Sequence, residues 1–259
     1  MASCGAALSA FAAEPPALPQ PPVPSHHYVE PPQRALDLSL QTAWSSLGDW
    51  GDAIAGLESR SRSDGLPIVT SNRPAYTLSF EAALLFPVRG RWLAGFQYDR
   101  PTGKSEFSVR DDNGGTGGSG EFRTSVDANS NAYLAVARWL APTREGAVHS
   151  YLQLGAGVGS ARLEFVTPSG SALGKGHGFA GELEAGAYVG DGLLRLRTAV
   201  GYRYHRATLG YSRVTASSQA GLRRYYFDFN DELADFARGR DLDLGGVFAR
   251  LGATLSFSR

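Results

Sequence analysis

Regular alternation between apolar and polar residues constrains the fold of this chain more than any other feature. In residues 35–44, leucines at even positions alternate with Asp37, Ser39 and Gln41. A β-strand points successive side chains to opposite faces, so this period predicts strands with one apolar and one polar face. The predicted strands are 35–44, 75–86, one from Trp92, 122–140, one from Val148, 178–189, 193–213 and 242–257. The parity of 122–140 is ambiguous, and Gly245-Gly246 predicts a bulge in the last strand.

The links between these strands alternate in length. Three are short, at 87–91, 142–147 and 190–192, and four are long and polar, at 45–74, 111–121, 167–176 and 215–241. Short turns at one rim and long loops at the other are typical of transmembrane barrels. No apolar run in the sequence is long enough for a membrane-spanning helix. The sequence therefore predicts an all-β fold, an eight-stranded antiparallel up-and-down transmembrane β-barrel over residues 35–259, with both termini on the periplasmic, short-turn side.

The N-terminal part of the chain has a different composition. Residues 1–13 end in small residues around Phe11 and are predicted to be the remnant of a signal peptide, although a basic start is missing. A lipoprotein box at Ala2-Ser3-Cys4 and an unstructured cytosolic N-terminus remain alternatives. Residues 14–34 are rich in proline, which removes backbone donors, so a disordered periplasmic spacer is predicted there.

Charged residues of the predicted strands fall on their polar faces. In a membrane barrel these faces must point inward, because one Arg at the bilayer midplane costs about 2–4 kcal/mol. The predicted interior ion-pair cluster comprises Asp37, Glu81, Asp99, Glu182, Glu184, Arg195, Arg197, Arg203, His205 and Arg250. The interior of an eight-stranded barrel is just wide enough to be filled by side chains. The alternative is a soluble, lipocalin-like barrel in which the charged faces are solvated.

Three segments resemble those of a known family. The segment 151–159 is similar to the Tyr-x-x-x-Gly-x-Gly pattern of the outer-membrane β-barrel superfamily, which includes the outer membrane protein A transmembrane domain and the opacity-type proteins. Gly201-Tyr202-Arg203-Tyr204 is similar to a motif near the end of their repeats, and the last strand resembles the signal read by the barrel-insertion machinery. The resemblance covers residues 35–259 and implies an outer-membrane location, although the family usually ends on the aromatic that is Phe257 here.

Composition and residue spacing argue against several functions. The formal net charge is zero, and no basic patch with interleaved aromatics exists, so nucleic-acid binding is not expected. A lipid-modifying enzyme would need a Ser and a His together on the lipid-facing surface, whereas parity places His205 inside without a supporting Ser. No His pair has metal-ligand spacing, and 111–115 indicates a Gly-rich turn rather than a calcium loop. No catalytic residue, cofactor or metal is therefore predicted.

Specific function is expected in the two largest loops. Residues 50–57 could form a short amphipathic helix, and the last loop combines aromatics with Arg, which are enriched at binding hot spots. The candidate loop contacts are Trp50, Arg223, Arg224, Tyr225, Tyr226, Phe227 and Phe229. We expect a structural or adhesin-like monomer with outer-membrane lipids, including lipopolysaccharide, and an extracellular ligand as partners. The alternatives are a small channel or lateral transporter of apolar molecules and, less favoured, a lipid-modifying enzyme.

Overall fold

The computed structural model describes residues 34–45, 47–72, 76–111, 120–142, 148–168, 170–190, 192–216, 237–238 and 240–257. The predicted signal remnant and most of the spacer lie outside these ranges and stay predictions. The elements are β1 (Arg34–Trp44), β2 (Leu47–Gly48), α1 (Asp49–Ser63), β3 (Ile68–Asn72), β4 (Tyr76–Arg89), β5 (Trp92–Asp111), β6 (Gly120–Leu140), β7 (Val148–Thr167), β8 (Gly170–Val189), β9 (Leu194–Ala216), β10 (Asp241–Asp243) and β11 (Gly246–Phe257).

Eight long strands close into a ring in the order β1, β4, β5, β6, β7, β8, β9 and β11. Every neighbouring pair is antiparallel, and closure comes from β11, which pairs with β9 on one side and with β1 on the other. Leu38 lies opposite Ala253, and Leu251 lies opposite Thr198. The prediction of an all-β, eight-stranded, up-and-down barrel is confirmed. Such closure leaves no unpaired sheet edge along the ring.

Two long links are shorter than the sequence predicts. The predicted loop 167–176 is wrong over most of its length, because β8 begins at Gly170 and pairs residue by residue with β7. Likewise, β5 extends to Asp111 and β6 starts at Gly120. These segments are rich in Gly and Ser, which have weak intrinsic preference for strands. The neighbouring strand supplies the hydrogen-bond partners here, and that context overrides the local preference.

The first long link contains the helix expected around residues 50–57. It runs over Asp49–Ser63, with Asp49 and Asp52 in its first turn and Arg60 and Arg62 in its last turn, as the helix dipole favours. Beside it, β3 pairs with β5, and β2 pairs with β10, which continues onto β9. These short strands extend the barrel wall on the loop side, and α1 lies between them.

The last predicted strand is interrupted rather than bulged. It divides into β10 and β11, with a break at residues 244–245. Gly246 has φ 138°, and a Cβ there would lie 1.6 Å from the carbonyl oxygen of Trp44. Only glycine fits this approach. The break lets β10 pair with β2 while β11 pairs with β1.

The interior consists of polar and apolar levels. On the loop side, the apolar face of α1 packs with inward side chains of the barrel; the largest members of this cluster are Trp50, Ile54, Phe107, Leu163 and Phe165. Trp50 and Phe165 have ring centroids 5.1 Å apart. A second apolar cluster includes Leu85, Leu93 and Leu140 near the short turns. Buried charges lie between the two ends.

Candidate functional site

A cluster of buried charges fills the middle of the barrel, and we call it the interior polar cluster. Its charged members are Asp37, Glu81, Asp99, Glu182, Glu184, Arg138, Arg197, Arg203 and Arg250, each at most 3% exposed. Five carboxylates thus face four guanidinium groups. Alternation brings them together because each occupies an inward position on its strand, and closure of the ring makes all inward faces converge.

Arg197 on β9 is the hub of this cluster. Its guanidinium lies 2.6 Å from a carboxylate oxygen of Glu81, 2.6 Å from one of Glu184 and 3.3 Å from one of Asp37. Its Nε also donates to the hydroxyl of Tyr151 at 2.7 Å. The two partners at 2.6 Å are on β4 and β8, so this single side chain connects opposite parts of the barrel wall through charge-assisted hydrogen bonds.

Arg250 on β11 duplicates this arrangement one level closer to the loops. It contacts Glu81 at 2.5 Å and Glu182 at 2.8 Å, and it also pairs with Glu184. Its guanidinium lies 4.7 Å from the ring centroid of Phe248 and donates to Gln41 at 2.7 Å. Glu81 and Glu184 therefore each bridge Arg197 and Arg250, which couples the two guanidinium groups into one network.

The remaining two guanidinium groups bind at the edges of the cluster. Arg138 contacts Asp37 at 2.5 Å and donates to Gln153 at 2.8 Å. Arg203 contacts Asp99 at 3.0 Å and donates twice to the backbone carbonyl of Leu244. That carbonyl belongs to the break between β10 and β11, so Arg203 satisfies a backbone acceptor that the break leaves outside the ladder.

The structure places most of the sequence-predicted residues in this cluster, with two differences. Arg195 lies near the short-turn end and donates to the backbone carbonyl of Gly192 at 3.3 Å rather than to a carboxylate. Arg138 is a central member that sequence reasoning missed, because the parity of its strand is ambiguous. The signal that could have found it is Trp139, whose outward position fixes Arg138 as inward.

His205 lies buried at the loop-side boundary of the cluster. Its Nε2 is 2.8 Å from the hydroxyl oxygen of Ser130, a partner that the sequence did not indicate. The Ser130 hydroxyl also lies within donating distance, 2.6 Å, of the carbonyl oxygen of Ser160. Within the described ranges, no group of three or more His, Cys, Asp or Glu side chains could hold a metal ion.

The outer face of the barrel is apolar, whereas the middle of the interior is charged. Leu40 is 70% exposed and Phe96 is 73% exposed, and outward positions of every ring strand carry similar side chains. Exposed aromatics lie at both ends of this apolar belt: Trp44, Tyr133, Phe179 and Tyr204 toward the loops, and Phe86, Trp92 and Phe257 toward the turns. From Leu194 to Tyr204 the belt spans about 33 Å along β9, or about 25 Å along the axis at the usual strand tilt.

Of the candidate loop contacts, the structure describes Trp50 alone. Trp50 is fully buried beneath α1 rather than exposed on a loop surface, because the helix turns its apolar face into the barrel. The residues from Arg223 to Phe229 lie outside the described ranges, so their predicted role stays a prediction. Among the described residues, α1 and every other helical segment are too short and too polar to cross a bilayer.

No protein-family model matches the chain, and no curated protein matches it. Three solved structures are similar in fold. Neisserial surface protein A (NspA) has 9% identity and a TM-score of 0.37, covering 86% of this chain and 95% of that one. The outer membrane protein OprG from Pseudomonas aeruginosa has 12% identity and a TM-score of 0.43, covering 87% and 96%. The outer membrane protease OmpT from Escherichia coli has 9% identity and a TM-score of 0.39, covering 88% and 97%. The predicted fold of an eight-stranded antiparallel barrel is confirmed by the closed ring of strands in this chain itself.

Proposed function

We propose that this chain is an integral protein of a Gram-negative-type outer membrane, with a structural or surface-interaction role carried out by its long loops. The observation that supports it best is the inversion of polarity across the wall: the charged residues are inside and paired, and the apolar residues are outside between two aromatic girdles. A soluble ligand-carrying barrel would need the opposite assignment of faces. In this proposal both termini are periplasmic, since β1 begins and β11 ends at the short-turn rim.

The filled interior supports a role outside the lumen. Buried guanidinium and carboxylate groups occupy the middle, and α1 with its apolar neighbours fills the loop side. An open, water-filled pore needs a wider ring of strands. The alternative of a small channel therefore has less support, and we infer that the loops and the outer surface bind the partners. These would be lipids, the insertion machinery during assembly and an extracellular ligand, with the barrel as a monomer.

The burial of Ser130 and His205 also supports a non-catalytic role for this pair. The two side chains are 1% exposed each, out of reach of a substrate at the surface, and the Ser130 hydroxyl also lies 2.6 Å from the backbone carbonyl oxygen of Ser160. We infer that the pair is structural. The wild-type protein and Ser130→Ala should both show only the phospholipid and lipid A hydrolysis of an empty-vector membrane, whereas hydrolysis by the wild type that Ser130→Ala loses would contradict this inference.

The membrane placement is tested by comparing heated and unheated protein from fractionated membranes on an SDS gel. We expect the protein in the outer-membrane fraction, with faster migration before heating than after it, because a closed barrel resists SDS. Single-channel recording in planar bilayers provides the second test, with an open porin as the matched control. Soluble protein without a heat shift would reject the membrane barrel, and steady conductance would favour the channel instead.

A further inference from the structure

Two cations face each other on the outer wall of the barrel, just beyond the apolar belt. Arg162 of β7 and Lys175 of β8 are directly opposed in the ladder, and both are exposed. Like charges directly opposite each other destabilise a sheet. Neither side chain forms an ion pair with any carboxylate of the described residues. The arrangement therefore presents concentrated positive charge that an external anion would neutralise.

Three other outward cations at this end of the barrel have acidic partners within the chain, whereas no ion pair to a described residue involves the exposed Arg100 and Arg110 of β5. The ammonium nitrogen of Lys104 lies 2.9 Å from a carboxylate oxygen of Glu106, which also pairs with Arg123. Arg206 lies 2.8 Å from Asp241. The pair Arg162–Lys175 differs from all of these, because it places two cations directly opposite each other without an ion pair to either.

The level of this pair matches the headgroup layer of a membrane. Arg162 is four residues beyond Val158, and Lys175 is four residues from Phe179, where the exposed apolar belt ends. Four residues correspond to about 13 Å along a strand, or about 10 Å along the axis at the usual tilt. Long basic side chains can turn back toward the interface by several ångströms. Their charged ends then reach the depth of lipid phosphates.

An outward acidic pair on the neighbouring β6–β7 ladder limits where an anion can lie. Asp127 and Glu164 are directly opposed one step farther from the belt, and both are exposed. Their negative charge repels an anion from that side. An anion bound to Arg162 and Lys175 must therefore lie toward the membrane rather than toward the loops.

An apolar groove lies on the outer wall across β4 to β7, and its β7 edge lies toward the belt from Arg162. It has a volume of about 480 Å³, and small side chains such as Ala135 and Ala156 form its floor between Phe96, Tyr133 and Val158. The groove lies within the apolar belt, so an occupant must be apolar. Val158 belongs both to the groove and to the strand that carries Arg162, which places the groove and the basic pair on one continuous surface.

We propose that this surface binds one phosphate-bearing membrane lipid, with the phosphate between Arg162 and Lys175 and an acyl chain in the groove. The proposal rests on the membrane placement proposed above and names a lipid for that surface. Charge complementarity selects an anionic headgroup, and the groove selects a lipid over a free anion. A basic residue at a membrane surface contributes about fivefold to the affinity for an anionic lipid, so losing both should weaken binding about 25-fold.

Native mass spectrometry of the full chain, folded in a non-ionic detergent, tests the proposal. The protein is offered equal amounts of dioleoyl phosphatidic acid and dioleoylglycerol, which differ only in the phosphate. We expect phosphatidic acid adducts to dominate, and Arg162→Gln/Lys175→Gln to reduce them about 25-fold. The matched control, Lys104→Gln/Arg123→Gln, removes the same charge from outward positions that have an acidic partner and should retain binding. Ala156→Phe, which fills the groove, should weaken binding with all charges in place.

Each other outcome would overturn the proposal. Equal losses in both double variants would indicate general attraction to a basic protein, and full binding by Arg162→Gln/Lys175→Gln would exclude this site. Complete displacement of the lipid by excess inorganic phosphate would indicate a free-anion site. A heat shift on the gel verifies that each variant is folded. Folded, membrane-inserted protein without any preference for phosphatidic acid refutes this inference alone, whereas protein that does not insert refutes the membrane placement as well.

Discussion

The charge count of the interior polar cluster predicts that its basic and acidic members differ in importance. Five carboxylates share four guanidinium groups, so the cluster carries an excess of negative charge. Arg197→Met removes a guanidinium that contacts Glu81, Glu184 and Asp37, and it increases that excess. Glu184→Gln removes one negative charge instead, and it keeps the shape of the side chain and an oxygen that accepts hydrogen bonds.

The magnitudes follow from what each change leaves behind. Removing one partner of a buried ion pair typically costs about 3–5 kcal/mol, because the other charge stays buried without compensation. After Arg197→Met, Glu81 keeps Arg250 at 2.5 Å and Asp37 keeps Arg138 at 2.5 Å, so we expect about 3 kcal/mol. In Glu184→Gln the amide oxygen still accepts from Arg197, whereas the amide nitrogen faces Arg250 and loses that contact. Arg250 keeps Glu81 and Glu182, so the cost is about 1 kcal/mol.

Urea unfolding in detergent micelles measures this difference, with tryptophan fluorescence and the heat shift on a gel as independent probes. We expect Arg197→Met to lower the free energy of unfolding by about 2 kcal/mol more than Glu184→Gln does. Arg195→Met is the matched control, because Arg195 is on the same strand but contacts only the local backbone carbonyl of Gly192. It should change stability little. Equal losses for Arg197→Met and Glu184→Gln would show that the excess negative charge does not govern the cluster.

Three further predictions concern packing. Trp50→Ala should destabilise the loop side of the barrel by about 3–5 kcal/mol, because Trp50 is fully buried against Phe165. Proteolysis of α1 should become faster, and an unchanged rate would show that α1 does not need the Trp50 side chain to stay packed. Gly56→Ala should stabilise α1 by about 0.5–1 kcal/mol, since a Cβ there meets nothing within 4 Å; hydrogen exchange of the helix amides should slow, and faster exchange would contradict it. Gly157→Ala should prevent folding of the barrel, because its Cβ would lie 1.9 Å from the carbonyl oxygen of Tyr133, and the gel band should no longer shift on heating. Ala156→Gly, one residue away on the outward face, is the control that should still fold, and a normal heat shift in Gly157→Ala would refute the close approach.

The sequence predicted the ring of strands and most of the interior charges because both depend on side-chain parity alone. Asp37, Glu81 and Arg197 stand at positions where alternation is regular on both sides, so their inward direction could be assigned. Their partners could not be assigned, since pairing across the lumen depends on the stagger of strands that are far apart in the chain. Arg197 contacts Glu81 across 116 residues, a distance along the chain about which local patterns contain no information.

The position of α1 could not be predicted for a different reason. Its helical spacing was visible in residues 50–57, but an amphipathic helix can pack against a protein, lie on a membrane or face another molecule. The choice depends on the surface that receives it. Here that surface is made by inward side chains such as Phe107 and Phe165, which come from β5 and β7 and become neighbours only when the ring closes. Trp50 therefore belongs to the core, although its loop position suggested a surface contact.

The ambiguous strand 122–140 reflects a reversal of polarity that the membrane itself would impose. On β7, outward residues are apolar up to Val158 and polar from Ser160 to Glu164, whereas inward residues change from Gln153 to Leu163 and Phe165. Inside a bilayer the outward side chains face lipid and must be apolar, so the polar ones gather in the lumen. Beyond the bilayer they face water, and the apolar ones move inside beneath α1. A strand that crosses this boundary shows two opposite phases in succession, and on β6 the change falls near Tyr133, which belongs to the loop-side girdle. In the proposed membrane placement, the residue at which the phase reverses marks the membrane surface on each strand. On β7 it lies between Val158 and Arg162, where the lipid phosphate is proposed to bind.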